Sequence, residues 1–181
     1  MSLAELVKVA PPPEEPLELP AEFDESWQAA EDRLKLKFPP DYKEFIHTYG
    51  SGAFSYERYS IYIFNPLSKS YQKRYEGVLD GVRFAHESGE TTYHVYPDEG
   101  GLFPWGVDGN GCALLWLTSV KSDWLTVVML PEGGDDITES FKLTMTSFLA
   151  KALENKLKVK AWGEGFPAEK DREFYPRRFS K

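Results

Sequence analysis

The sequence predicts an α+β domain in which a helical hairpin and additional helices pack on a twisted, mainly antiparallel sheet. Three observations carry that expectation. Apolar residues recur at helical spacing early in the chain, at Trp27, Ala30, Leu34 and Phe38 and again at Tyr42, Phe45, Ile46 and Tyr49. Residues 102–117 read as two apolar strands folded back on each other at Asp108-Gly109-Asn110-Gly111, where glycine, asparagine and aspartate tolerate the positive φ of a tight hairpin. After residue 90 the strand-like runs follow one another too closely for repeated βαβ units, which disfavours a parallel doubly wound sheet.

The totals bound the answer. A chain of 181 residues, 41% hydrophobic and 15% aromatic, suffices for one domain with tails and a sizeable core. It has no apolar run of about 18 residues, so no membrane partner is expected. Glu5 and Lys8 interrupt the short apolar patch at the N-terminus, which makes a poor secretory signal. Cys112 is the single cysteine, which excludes an intrachain disulfide framework and a cysteine zinc cluster, and a cytoplasmic location is expected. The net charge of −8 is uneven: residues 151–181 hold nine Lys or Arg against five Asp or Glu, a local +4, which leaves −12 on residues 1–150. An acidic body repels phosphate backbones and favours basic partners, so no nucleic-acid ligand is expected, although acidity serves solubility as readily as it serves a partner.

Taken in order, residues 1–23 form a leader rich in proline and glutamate, whose stretch from residue 10 onward cannot order itself by apolar burial and is expected to be extended. A helix begins near Asp24 or Ser26, either of which could cap it, and its stripe runs toward Phe38. Pro39 and Pro40 break it, Pro40 and Asp41 suit the first turn of a second helix, and Gly50 ends that one. Tyr59 to Phe64 is β-branched and aromatic and reads as a strand. Tyr71, Tyr75, Val78, Leu79, Val82 and Ala85 give residues 68–87 a helical period, in spite of Gly77 and Gly81, each costing about 1 kcal/mol relative to alanine. If both are helical, their lack of side chains lets another element approach. Strands are expected at residues 91–96, on both arms of the central hairpin, at 124–130, and as a short edge at 136–141. Met145, Phe148, Leu149, Ala152 and Leu153 mark a closing helix. The tail, residues 156–181, is basic and aromatic, and its aromatics argue for packing across the domain.

Searches for chemistry fail one after another. His47, His86 and His94 have no paired spacing for a metal. Ser51 is flanked by Tyr49 and Ala53 where a nucleophile elbow needs glycines. Asp108-Gly109-Asn110-Gly111 matches a calcium loop at two positions only, since Cys112 and Ser119 stand where further ligands belong. Leu114 replaces the third glycine of a dinucleotide fingerprint. Neither a cofactor nor a metal is expected, and Cys112, inside an apolar run, reads as a small hydrophobe. A surface reading remains: Trp105 with Asp98, Glu99, Asp108 and Asn110, an aromatic anchor rimmed by acids and an amide, is the candidate protein-binding set. The competing reading makes the tryptophans core and the acids turn residues.

Residues 27–53, with Phe38-Pro39-Pro40-Asp41-Tyr42-Lys43-Glu44-Phe45 and the turn at Gly50, resemble the opening helical hairpin of the SUKH superfamily, the Smi/Knr-like family. Phe38 stands in place of the usual leucine before Pro39. Pro104-Trp105-Gly106-Val107-Asp108-Gly109-Asn110-Gly111 is similar to the family's proline, aromatic and glycine element, and Ser140-Phe141 with the closing helix matches its usual end. The resemblance covers roughly residues 24–155. It implies an α+β fold and a non-enzymatic binding role, as in bacterial immunity proteins that neutralise a cognate toxin, often a nuclease, by protein-protein binding. For this chain the implied partner is therefore a cognate basic protein toxin. A Smi/Knr-like regulatory scaffold, binding through a leader separable from the fold, is one alternative, and an unrecognised hydrolase is the other.

Overall fold

The structure, a computed structural model, describes residues 3–23, 25–55, 60–69, 71–118, 124–130, 138–163 and 165–178. Helix α1, Leu3–Val9, opens the leader and buries Leu6 completely, packing against the closing helix. Residues 11–19 then form neither helix nor strand and bend at Glu14, Glu15 and Glu18, the last in the left-handed region at φ 57°, so the leader is not simply extended. They are nonetheless tied down: Tyr49 donates its hydroxyl to the Ala10 carbonyl at 2.5 Å, and Leu17 bridges Gly50. A Cβ on Gly50 would stand 2.2 Å from the Leu17 carbonyl oxygen, so only glycine admits this approach. The leader is thus part of the packed body, not a separable arm. Composition missed this because helix α1 needs only one apolar face of seven residues to dock.

Helix α2, Trp27–Leu34, is capped by Ser26, which accepts from the Ala29 N–H at 3.2 Å; Asp24 lies outside the described residues. It stops four residues before Phe38 because Lys35 turns into the left-handed region, φ 52°, ahead of two prolines. Phe38 is core all the same, 4% exposed. Helix α3, Pro40–Tyr49, starts on proline and ends at Gly50 as expected, and Asp41 accepts from both the N–H and the hydroxyl of Thr146, fixing it to the closing helix.

Among the described residues, seven strands form one antiparallel sheet. They are β1 Gly52–Phe54, β2 Ile61–Ile63, β3 Leu102–Asp108, β4 Ala113–Leu117, β5 Leu125–Met129, β6 Thr138–Phe141 and β7 Phe174–Pro176, in the spatial order β6-β5-β4-β3-β2-β1-β7. The α+β expectation holds, and the hairpin β3–β4 lies at the sheet centre. Trp105 is the extra residue of a bulge in that hairpin, since pairing passes from Pro104↔Leu115 to Gly106↔Leu114. The strand expected at residues 91–96 is absent. Val95 makes only an isolated parallel bridge to Leu102, because so short a connection cannot carry the chain back into a parallel ladder. Tyr59 and Asp136, at the ends of two expected strands, lie outside the described residues.

Alternate residues of the central strands face opposite layers. Phe103, Trp105, Leu114, Trp116 and Val128 join α3 and the closing helix α5, Met145–Leu153, in the larger core. Leu102, Leu115, Val127 and Met129 meet Leu79 and Val82 of helix α4, Tyr71–Glu87. Both faces are therefore covered, which is why β3 to β5 read as nearly continuous apolar runs. The tail packs as its aromatics predicted, with Trp162 6% and Phe174 3% exposed, and β7 closes the sheet against β1; Phe179 lies outside the described residues. No helix among the described residues is long and apolar enough to cross a membrane.

Candidate functional site

The link between α2 and α3 and the turn at residues 96–100 come together to form a cleft of about 670 Å³. The link is held from beneath by Glu31, 4% exposed, which accepts from the Phe38 N–H at 3.1 Å and pairs with Lys37 at 2.8 Å and Lys43 at 2.5 Å. Burial pushes this carboxyl up, but the hydrogen bonds from Lys37, Lys43 and the Phe38 N–H outweigh it and hold Glu31 below the ordinary glutamate value. A folded-state value below the unfolded one means that the stabilisation is fully present above the unfolded pKa and is lost as pH falls through the folded value. Glu31→Gln is therefore expected to cost roughly 1–3 kcal/mol at neutral pH. The gap from the parent should narrow on acidification below about pH 4; urea titrations between pH 3 and 7 measure it, and a pH-independent gap would refute the assignment.

The second wall is stapled to the first. The Tyr96 hydroxyl shares its one proton between the carbonyls of Lys35, at 2.5 Å, and Leu34, at 3.0 Å. The turn then closes through the Gly101 N–H to the Asp98 carbonyl, 2.9 Å, and a Cβ at Gly101 would lie 2.4 Å from the Tyr96 nitrogen. Trp124, 8% exposed, lies at the cleft with its ring 5.4 Å from Trp116. The lining so assembled is an apolar surface of Tyr96, Pro97, Trp124 and Pro39, with Lys35 and Lys37 on one wall and exposed Asp98 and Glu99 on the other. The described lining holds no histidine, cysteine or serine, and its Thr118 hydroxyl is committed to the Gly101 carbonyl at 2.7 Å. Such a surface can bind by charge and apolar contact.

Of the residues singled out from sequence, Asp98 and Glu99 meet here, and the other three do not. Trp105 is completely buried, donates its indole N–H to the Leu115 carbonyl at 3.0 Å and packs on Phe148. It is core, because the bulge turns it into the larger layer, and it is closed to a partner. Asp108, 4% exposed, accepts from the N–H groups of Asn110 and Cys112 at 2.8 and 2.9 Å and from the Trp162 indole at 3.0 Å. It organises the turn and receives the tail. Asn110 is exposed, but at the closed end of the hairpin, whereas Gly101 and Thr118 bracket the open end beside the cleft. A seven-residue strand separates the two ends by roughly 20 Å. Burial, followed by the charge of Asp108, pushes the Cys112 thiol up to about 12, which leaves it an inert hydrophobe as its apolar context predicted. The described residues contain no group of three or more His, Cys, Asp or Glu placed to hold a metal.

Sequence reasoning passed over Lys35, Lys37 and Tyr96. The Lys-Leu-Lys-Phe-Pro-Pro run between two helices was a visible signal, but nothing local says that residues 96–100 stand opposite it. A second, more open groove of about 1060 Å³ runs between Pro11, Pro12, Pro13 and the β7 edge. A family model described as SMI1-KNR4 cell-wall (SUKH_6) matches residues 24–149, a span that includes the whole described lining of the smaller cleft and none of the larger groove's lining. No curated protein and no solved structure matches the chain.

Proposed function

Since the chain belongs to the SMI1-KNR4 family, matched over more than half its length, we propose that it is a non-catalytic binding protein of the immunity type, which neutralises a cognate basic protein toxin by covering part of its surface. The supporting observation is the cleft: an apolar surface at Tyr96 and Trp124 beside the exposed carboxylates of Asp98 and Glu99, built entirely of residues within the family match. Aromatic surface with charge at the rim is the usual anatomy of a protein-binding patch. The excess of −12 on residues 1–150 favours a basic partner over a phosphate backbone and speeds its encounter. This reading places the protein in the cytoplasm, where a chain with one buried thiol needs no disulfide.

The experiment is titration calorimetry and a cell-rescue assay with the product of a neighbouring toxin gene. Asp98→Lys combined with Glu99→Lys is expected to weaken binding by about 30–100-fold, mostly through a slower, less salt-sensitive association. The fold is expected to be unchanged, because both side chains are exposed. Undiminished affinity in that variant, or no rescue of toxin-expressing cells by the parent, would overturn the proposal. A scaffold role through the leader draws support from the groove along Pro11 to Pro13. Deleting the leader is no test of it, because Leu6 and Ala10 are fully buried; substitution of the three groove prolines is the cleaner probe.

A further inference from the structure

Helix α4 presents a crest that no other described part of the chain covers. Tyr71, Leu79 and Val82 bury its inner side on the sheet, while Lys73, Gly77, Asp80, Phe84 and Glu87 are exposed. These five positions follow one another at alternating steps of four and three, the spacing of a helix-pairing seam. Phe84 is 66% exposed, and no other large hydrophobic side chain among the described residues is comparably open to water. A Cβ at Gly77 or Gly81 would meet nothing within 4 Å, so neither glycine serves packing inside this chain. Both weaken a helix of 17 residues that the sheet needs as a cover.

We infer that this crest is the docking surface for a second copy of the chain, with the two α4 helices antiparallel about a two-fold axis at Asp80. In that arrangement Phe84 of each copy lies over Gly77 of the partner subunit, where the missing side chain leaves a notch for the phenyl ring. Lys73 of each copy faces Glu87 of the partner subunit. The charges select this orientation, since a parallel pair would set lysine against lysine at one end and glutamate against glutamate at the other. Asp80 meets its own counterpart at the axis, but each is neutralised by Arg83 of the same helix, 2.6 Å away. One helix of this length covers less than the ~800 Å² per partner of a standard interface, so the association is in the micromolar range or weaker.

Sedimentation velocity of the full chain across a concentration series tests the pairing, and the expected result is a sedimentation coefficient that rises with concentration. Phe84→Glu abolishes that rise while leaving the helix intact. Gly77→Gln fills the notch, so it weakens self-association at least about tenfold yet raises the thermal midpoint by about 1–3 °C through better helix propensity. A glycine with only a structural role would not give that opposed pair of effects. Lys73→Glu weakens the dimer, and adding Glu87→Lys to it restores the lost affinity. A monomer at every concentration, or association unaffected by Phe84→Glu, overturns the inference.

Discussion

Trp116→Ala is expected to lower the free energy of unfolding by about 3–5 kcal/mol, a large share of the 5–15 kcal/mol typical of a domain. Its indole, 1% exposed, sits where both halves of the larger core meet. It stands edge-on to Tyr42 at 4.8 Å between ring centres and to Trp124 at 5.4 Å, and stacks toward Phe103 at 6.3 Å. The neighbours belong to α3, to the sheet and to the cleft, so they cannot collapse into the void together. The removed ring therefore costs its transfer energy and leaves a cavity as well. The same variant loosens the support of Trp124 and is expected to weaken partner binding through the cleft. Denaturant unfolding with near-UV circular dichroism measures the effect; a loss below about 1 kcal/mol would show that the core repacks around position 116.

Asp108→Ala is expected to cost roughly 3–5 kcal/mol, because one carboxylate satisfies three donors at once. Each buried donor left unpaired costs about 1–3 kcal/mol, and the three effects overlap because they share one side chain. Two consequences separate this variant from a general loss of packing. Trp162 loses its indole partner, so the tail lifts from the hairpin and its fluorescence shifts toward that of a water-exposed indole. The Cys112 thiol also loses the second cause of its raised pKa and becomes more reactive toward a thiol reagent at neutral to mildly alkaline pH. Unchanged thiol reactivity together with a stability loss under 1 kcal/mol would contradict the role given to Asp108.

Asp108 also shows where local reading succeeds and where it stops. That Asp108-Gly109-Asn110-Gly111 is a turn follows from residue chemistry over four positions. That the aspartate is buried follows from nothing local, because it depends on Trp162 arriving from 54 residues further along the chain. Trp105 is similar: an indole near a turn looked like an anchor for a partner, and a bulge in the β3–β4 pairing put it in the core instead.

The sequence by itself determined the fold class and most of the elements from α2 to α5, but not α1, β1 or β7, and it offered a strand at residues 91–96 that the structure lacks. A helical period of apolar residues, a proline or glycine at a helix end, and runs of alternating or continuous apolar residues are free-energy preferences set within a few residues of chain. It also determined the family, through short motifs in order over residues 24–149. Only the tertiary structure decided that the leader docks through Leu6, that α4 supplies the second layer of the sheet, and that Asp98 and Glu99 face Lys35 and Lys37 across a cleft while Asn110 stands at the far end of the hairpin. The physical reason is the same in each case. Which surfaces meet is set by the whole core being covered at once, through contacts between residues tens of positions apart, and a local pattern carries no record of its distant partner.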